Sequence, residues 1–139
     1  MTPSPPRRRA VLAGTVALLA LSGCGAKNSY DAVEAGLRDW LTAVHAGDPI
    51  ACELEATRFG MHEDLLEEHP ELGGPGTSCA DRVSRMGALD LPAPDSPMSV
   101  PAWDPSGEAY VEVADDAGGH QQYWMFYQDG RWLVGGELR

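Results

Sequence analysis

The strongest constraint on the fold is a change in the spacing of apolar residues. Before a proline-rich connector at residues 91–97, apolar side chains recur every three or four positions, which is typical of amphipathic helices. After the connector they alternate with polar residues, which is typical of strands. A single switch of period favours an α+β fold. We expect N-terminal helices packed on a four-stranded antiparallel meander.

The first 23 residues have the organisation of a cleavable export signal. Arg7, Arg8 and Arg9, with no acid, precede twelve almost wholly apolar residues at 10–21. These residues would rise only about 18 Å as a helix, short of the ~30 Å hydrocarbon core, so a signal peptide is favoured over a membrane span. The segment Leu21–Cys24 resembles the bacterial lipobox, in which small residues precede an invariant cysteine. We expect cleavage before Cys24 and acylation of its thiol.

A lipid on Cys24 would hold the protein on the outer face of the cell membrane. Two or three acyl chains give stable anchoring, because each buried methylene contributes ~0.8 kcal/mol. Residues 24–29 would form the lipidated N-terminus and a short tether, and residues 30–139 a single α+β domain close to the membrane. The arginines fit twin-arginine export and ordinary Sec export equally well, so the route stays open.

The charge balance disfavours nucleic acid as a partner. The whole chain has a net charge of -11, and the leader contains three arginines and no acid, so the mature part carries -14. Lys27 is the only lysine, and the arginines are scattered, whereas a phosphate backbone requires clustered cations. The acidity indicates a soluble, self-repelling surface. Binding of cationic ligands or loosely held divalent ions is the alternative.

Two cysteines are left after the first is acylated. Cys52 and Cys79 would meet an oxidising compartment on export, which favours a disulfide between them. Closing that loop should stabilise the fold by about 3 to 4 kcal/mol. A zinc site or a catalytic dyad is less favoured, because neither thiol has a histidine or a metal-ligand pattern nearby.

Local patterns place the individual elements. The spacing of apolar residues predicts a first helix from Tyr30 to Val44, with Asn28 and Asp31 capping its start and Gly47 ending it. Three shorter helices follow: one from Asp48-Pro49 through Ala56, one over Met61–Glu68, and one capped by Ser78 and Asp81 that runs through Val83 and Met86. The predicted strands are Met98–Ala102, Ala109–Val113, His120–Tyr127 and Arg131–Leu138, with turns at Asp104–Gly107, Asp115–Gly119 and Asp129-Gly130.

The order of elements and three short motifs carry a family resemblance. The first helix ends at Ala46–Asp48, the next carries Ala51-Cys52 with a partner cysteine at Cys79, and the closing hairpin contains Asp129–Trp132. Over most of residues 29–138 the chain resembles the nuclear transport factor 2-like (cystatin-like cone) superfamily, particularly its small actinobacterial lipoproteins. The resemblance implies a bent sheet wrapped around helices, with a conical cavity that some members use for catalysis or ligand binding. Fold alone does not give function.

Catalytic and metal sites have little support in the sequence. Enzymatic relatives, such as SnoaL-like cyclases, place an Asp, His or Tyr inside the cone, but no motif carries those roles onto this chain. Glu112, His120 and Tyr123 are the fair candidates, and each has a simpler structural explanation. His62 and His69 lie two helical turns apart with leucines between them, so we expect no metal site. No cofactor is expected.

The last hairpin is apolar on both faces. A turn at Asp129-Gly130 puts one set of residues on a common face: Tyr123, Met125, Tyr127, Trp132 and Val134. The opposite face carries Trp124, Phe126 and Leu133. A sheet with one solvated face should alternate polar residues there, so the second face is expected to be covered. The cover could be a second copy, an envelope protein, a small apolar ligand, or further core of the same chain.

These observations lead to one functional hypothesis and one alternative. The hypothesis is an exported, membrane-anchored lipoprotein with a non-enzymatic binding or assembly role in the cell envelope. The alternative is a cofactor-free SnoaL-like enzyme of the isomerase, hydratase or cyclase type that uses the cone cavity. An enclosed cavity with two convergent polar groups would favour the enzyme, and a filled or purely apolar cone would favour the binding role.

Overall fold

A computed structural model describes residues 29–138 as a helical half followed by four strands. The α-helices are α1 (Tyr30–Ala46), α2 (Met61–Glu68) and α3 (Cys79–Arg85), and 3-10 turns cover Pro49–Leu54, Thr57–Phe59, Pro70–Leu72 and Met86–Ala88. The strands β1 (Met98–Asp104), β2 (Glu108–Ala114), β3 (His120–Gln128) and β4 (Arg131–Leu138) form one antiparallel sheet in the order β1-β2-β3-β4. The predicted α+β class and four-stranded meander are confirmed. The predicted signal peptide, the acylation site Cys24 and the capping residue Asn28 lie outside the described residues.

Helix α1 supplies the main apolar stripe of the helical half. Ser29 caps its start, because the Ser29 hydroxyl accepts a hydrogen bond from the Ala32 amide at 3.3 Å. Gly47 ends it with a left-handed backbone at φ 65°, as the sequence predicted. One face of the helix is fully buried, with Val33, Leu37, Trp40, Leu41 and Val44 at 0 or 1% exposure.

The second predicted helix is shorter than expected. Asp48 does cap it, since its carboxylate accepts from the Ile50 amide at 3.0 Å. The segment is a 3-10 helix that ends at Leu54 rather than continuing through Ala56. Beyond that point the backbone is extended, and the Ala56 amide donates to the Val134 carbonyl at 2.8 Å. Pairing with the edge strand β4 therefore replaces the last helical turn.

The sheet packs its inner face, the face toward α1, against the buried stripe of that helix. Helix and sheet share one core, to which the strands contribute Ala109, Val111, Val113, Tyr123, Met125, Trp132 and Val134. Gly36 permits a close approach of α1 to β4, because a Cβ there would lie 2.8 Å from the Trp132 carbonyl oxygen. The rings of Trp40 and Tyr123 meet at 6.0 Å in the middle of this layer.

The hairpins form where the sequence predicted them. Asp129 (φ 53°) and Gly130 (φ 81°) are both left-handed, as a tight two-residue hairpin turn requires. The resulting register pairs Tyr127 with Trp132 and Met125 with Val134. At the β1–β2 turn, the Gly107 amide donates to the Asp104 carbonyl at 2.9 Å.

Candidate functional site

A buried ionic cluster joins α1, α2 and α3 to Glu55. Glu55 directly precedes Ala56, whose amide bonds to β4. Arg82 on α3 is 0% exposed, and Glu55 is 7% exposed. The Arg82 guanidinium donates to Glu55 Oε2, and the Trp40 indole N–H donates to Glu55 Oε1 at 3.0 Å. Buried charges persist when they are paired and their remaining hydrogen-bonding capacity is used. Both carboxylate oxygens are used here, so the pair is internally satisfied.

His62 extends this cluster to the surface. Arg82 Nε donates to His62 Nδ1 at 2.9 Å, so Nδ1 carries no proton in this arrangement. The other ring nitrogen, Nε2, lies 2.9 Å from the Thr77 carbonyl oxygen and must be the protonated donor of that bond. The imidazole is therefore held from both sides.

The predicted disulfide is present beside the cluster. Cys52 and Cys79 are joined, and the disulfide connects the Pro49–Leu54 turn to the start of α3. Arg82 Nη2 lies 3.1 Å from Cys79 Sγ, and Arg82 Nη1 lies 3.1 Å from Met86 Sδ. The covalent bond and the ion pair thus fix the same two segments of chain.

A surface groove of about 670 Å³ lies next to His62. We call it the α2 groove. One wall is α2, and the opposite wall is the chain that follows α2; the lining residues are His62, Glu63, Leu66, Glu67, Pro70, Gly73, Gly74, Pro75 and Gly76. Most of its lining is apolar. Glu63 and Glu67 are exposed at its rim, one helical turn apart.

The three candidate catalytic residues do not converge. Tyr123 is fully buried on the inner face of the sheet, where burial and, to a smaller extent, the negative charge of Glu137 raise the pKa of its phenol. Glu112 lies on the outer face, where its carboxylate accepts from the Gln122 amide at 3.0 Å. His120 is exposed at the start of β3. The structure brings none of these three together as an acid–base pair.

The apolar residues of the last hairpin divide between the two faces of the sheet. Tyr123, Met125, Trp132 and Val134 are buried, and Tyr127 is half-buried. On the inner face, the cover is helix α1 of the same chain. On the outer face, Phe126 and Leu133 are buried in a smaller cluster with Ala56, against which Phe59 and Trp124 pack.

The outer face carries a row of stacked rings. Phe59 lies over Phe126 with ring centroids 3.7 Å apart, and Trp124 contacts Phe126 at 4.8 Å and Tyr110 at 6.0 Å. The Trp124 indole N–H is buried and has no hydrogen-bond acceptor among the described residues. The Ala56–Phe59 segment therefore covers part of this face from within the chain.

Sequence reasoning missed the ion pair, although one signal was present. On α3, Cys79, Arg82 and Met86 are spaced three and four residues apart, so Arg82 occupies a position on the apolar face. A charged residue in that position needs a buried partner. Nothing in the local pattern singles out Glu55, which the chain brings in from 27 residues away.

No family model, curated protein or solved structure matches the chain. Within residues 29–138, no three or more His, Cys, Asp or Glu side chains are grouped so that they could hold a metal ion. None of the helices in that same part of the chain is long and apolar enough to cross a membrane.

Proposed function

We propose that this chain is an exported lipoprotein, anchored to the outer face of the cell membrane through acylated Cys24, with a binding or assembly role in the envelope. The observation that carries the binding role is the filled space between α1 and the sheet. Trp40, Tyr123 and Met125 are part of the core shared by α1 and the sheet, and each is at most 1% exposed. Side chains that fill this space leave no room there for an enclosed substrate, which favours the binding role over catalysis.

We also propose that the fold is of the nuclear transport factor 2-like type, with the sheet curved around α1 and the cone filled. The motifs at Ala46–Asp48, Ala51-Cys52 and Asp129–Trp132 support this assignment, and so does the order of helices before a closing meander. In such a fold, a catalytic site would need an enclosed cavity with convergent polar groups. The divergence of Glu112, His120 and Tyr123 supports binding over catalysis.

The anchor is tested by Cys24→Ala in the producing cell. The wild-type chain should fractionate with membranes, and mass spectrometry should find its N-terminus at an acylated Cys24. The variant should remain unprocessed or be released into the medium. Lys27→Ala is the matched control, because it changes a residue close to Cys24 that has no thiol to acylate. Membrane retention of Cys24→Ala equal to that of the wild type would refute the anchor.

The binding role is tested by native mass spectrometry of the full chain, released from detergent. A partner or second copy that stays bound through release would support it. The chain should be purified from cells with intact envelopes. If it is then released from detergent with nothing bound and converts a carbonyl substrate, the binding role is contradicted.

A further inference from the structure

We propose that the α2 groove binds a short extended polypeptide segment whose apolar side chains are flanked by lysine or arginine. This inference rests on the proposed binding role and names the chemistry of the partner. The groove volume of about 670 Å³ falls within the range of ligand sites, which is roughly 300 to 1,000 Å³.

The dimensions and walls of the groove fit an extended peptide. The eight residues of α2 span about 12 Å, which equals three to four residues of extended chain at about 3.3 Å each. A Cβ added at Gly74 or Gly76 would meet nothing within 4 Å, so the backbone of this wall is open to close approach. An extended peptide can therefore lie close against this wall, and pockets for its side chains would give specificity.

The apolar surface of the groove selects the central residues of the segment. Leu66 lies on the α2 wall, and Pro70 and Pro75 contribute ring surface along the opposite wall. Leu66 is half-buried and packs against the main core, so this surface rests on fixed side chains. Burial of leucine-like side chains against this surface would favour binding, because it removes apolar area from water.

The charges around the groove select the flanking residues. Glu63 and Glu67 stand exposed at the rim, and among the residues that line the groove there is no lysine or arginine. The arginine beneath it, Arg82, is paired with Glu55, so its charge is largely compensated. The field at the rim is therefore negative, which attracts cationic side chains and repels acidic ones.

The His62 wall is held in place before any ligand arrives. Its ring bonds to Arg82 on one side and to the Thr77 carbonyl on the other, each at 2.9 Å. Since binding then orders few groups of the protein, little affinity is lost to conformational entropy.

The test uses the full chain in a non-ionic detergent and a labelled peptide of four leucines between two pairs of lysines. Fluorescence anisotropy should report saturable binding that weakens with added salt. The charge-neutralised variant Glu63→Gln with Glu67→Gln should bind roughly fivefold more weakly. The matched control, Asp39→Asn with Glu53→Gln, loses two exposed charges away from the groove and should bind like the wild type. Because all chains share one detergent, partition of the peptide into micelles cancels in the comparison.

Two further arms separate charge from apolar contact. The reversed variant Glu63→Lys with Glu67→Lys should prefer a peptide with glutamates in place of the lysines. A peptide with serines in place of the leucines should not bind the wild type. Equal affinity of the wild type for the lysine and glutamate peptides, equal loss in the control variant, or no saturable binding would overturn the inference. The anchor at Cys24 is measured separately and could stand or fail on its own.

Discussion

The Arg82 guanidinium is a charged group in the protein interior, and its hydrogen-bond partners explain why it is stable there. It is fully buried, yet its donors reach the Glu55 carboxylate, the His62 ring and two sulfur atoms. Removal of one charge from such a pair leaves the other uncompensated in a low-dielectric interior. The Glu55–Arg82 pair therefore stabilises the helical half only while both charges are present.

Glu55→Gln should lower the free energy of unfolding by about 3 to 5 kcal/mol, because it leaves the Arg82 charge unpaired. Arg82→Met should be similarly destabilising. The double variant should lose less than the sum of the singles, with a coupling energy of about 0.5 to 3 kcal/mol. Urea denaturation, followed by the fluorescence of the tryptophans, measures all four chains.

Glu71→Gln is the control for this cycle. Glu71 lies 3.4 Å from His69 in a half-exposed pair, so its loss should cost less than about 1 kcal/mol. Additive single changes at Glu55 and Arg82 would show that the two side chains do not stabilise each other.

Tyr123 should make the stability of the fold fall in alkaline solution. Burial raises the pKa of its phenol, so the folded state disfavours the ionised form. The stability linked to the neutral phenol is fully present below the unfolded pKa of about 10 and is lost as pH rises above it. Urea denaturation of the wild type and of Tyr123→Phe, between about pH 8 and pH 11, isolates this residue.

The Tyr123→Phe chain loses the hydroxyl and its 3.1 Å bond to Gln121, so it should be the less stable chain at neutral pH. The difference between the two chains should shrink above about pH 10. A difference that stays constant through this range would mean that Tyr123 ionises as freely when folded as when unfolded.

Among the helices, strands and turns, the features that depend on local residues were predicted correctly from the sequence. The spacing of apolar residues located α1, the Asp129-Gly130 turn set the register of the last hairpin, and Ser78 capped α3 through the Asp81 amide at 3.1 Å. The predicted end of the second helix was wrong, because the Ala56 amide bonds to the Val134 carbonyl in a distant part of the chain. Contacts between segments that are remote in the sequence, such as Glu55 with Arg82, produce no periodic pattern that could predict them.

Two adjacent glycines in β4 should respond differently to the same substitution. A Cβ at Gly135 would lie 2.2 Å from the Phe126 ring, whereas a Cβ at Gly136 would meet nothing within 4 Å. Gly135→Ala must displace Phe126 from its stack on Phe59, at a cost of about 1 to 3 kcal/mol. Gly136→Ala should leave stability within about 0.5 kcal/mol of the wild type.

Thermal or urea unfolding of the two alanine variants gives this comparison directly. Near-ultraviolet circular dichroism should also change in Gly135→Ala, since the ring stack of the outer face is disturbed. Equal stability of the two variants would mean that Phe126 moves without cost.

Across the described residues, three arginine side chains connect segments that are far apart in the sequence. Arg38 donates to the Pro94 and Ser96 carbonyls, Arg85 to the Leu72 carbonyl, and Arg131 to the Glu53 carbonyl. The acids outnumber them on the surface, in agreement with the predicted acidic exterior.

The disulfide acts on the chain as a whole, because it restricts the unfolded ensemble. Cys52→Ser with Cys79→Ser should lower the free energy of unfolding by about 3 to 4 kcal/mol. Reduction of the wild type should have a similar effect and should leave the double variant unchanged. Urea denaturation with and without reductant measures both, and insensitivity of the wild type to reduction would contradict the expectation.

The two edge strands of the sheet, β1 and β4, each carry a feature that hinders pairing with a strand from another molecule. At β4, the amide of Ala56 occupies the Val134 carbonyl, and β1 carries Pro101, which has no amide hydrogen to offer. Under the proposed anchor at Cys24, copies of the molecule would diffuse in two dimensions and collide far more often than free copies at the same number per cell. Both features disfavour strand pairing between neighbouring molecules, so anchored copies would be displayed densely without sharing β-structure.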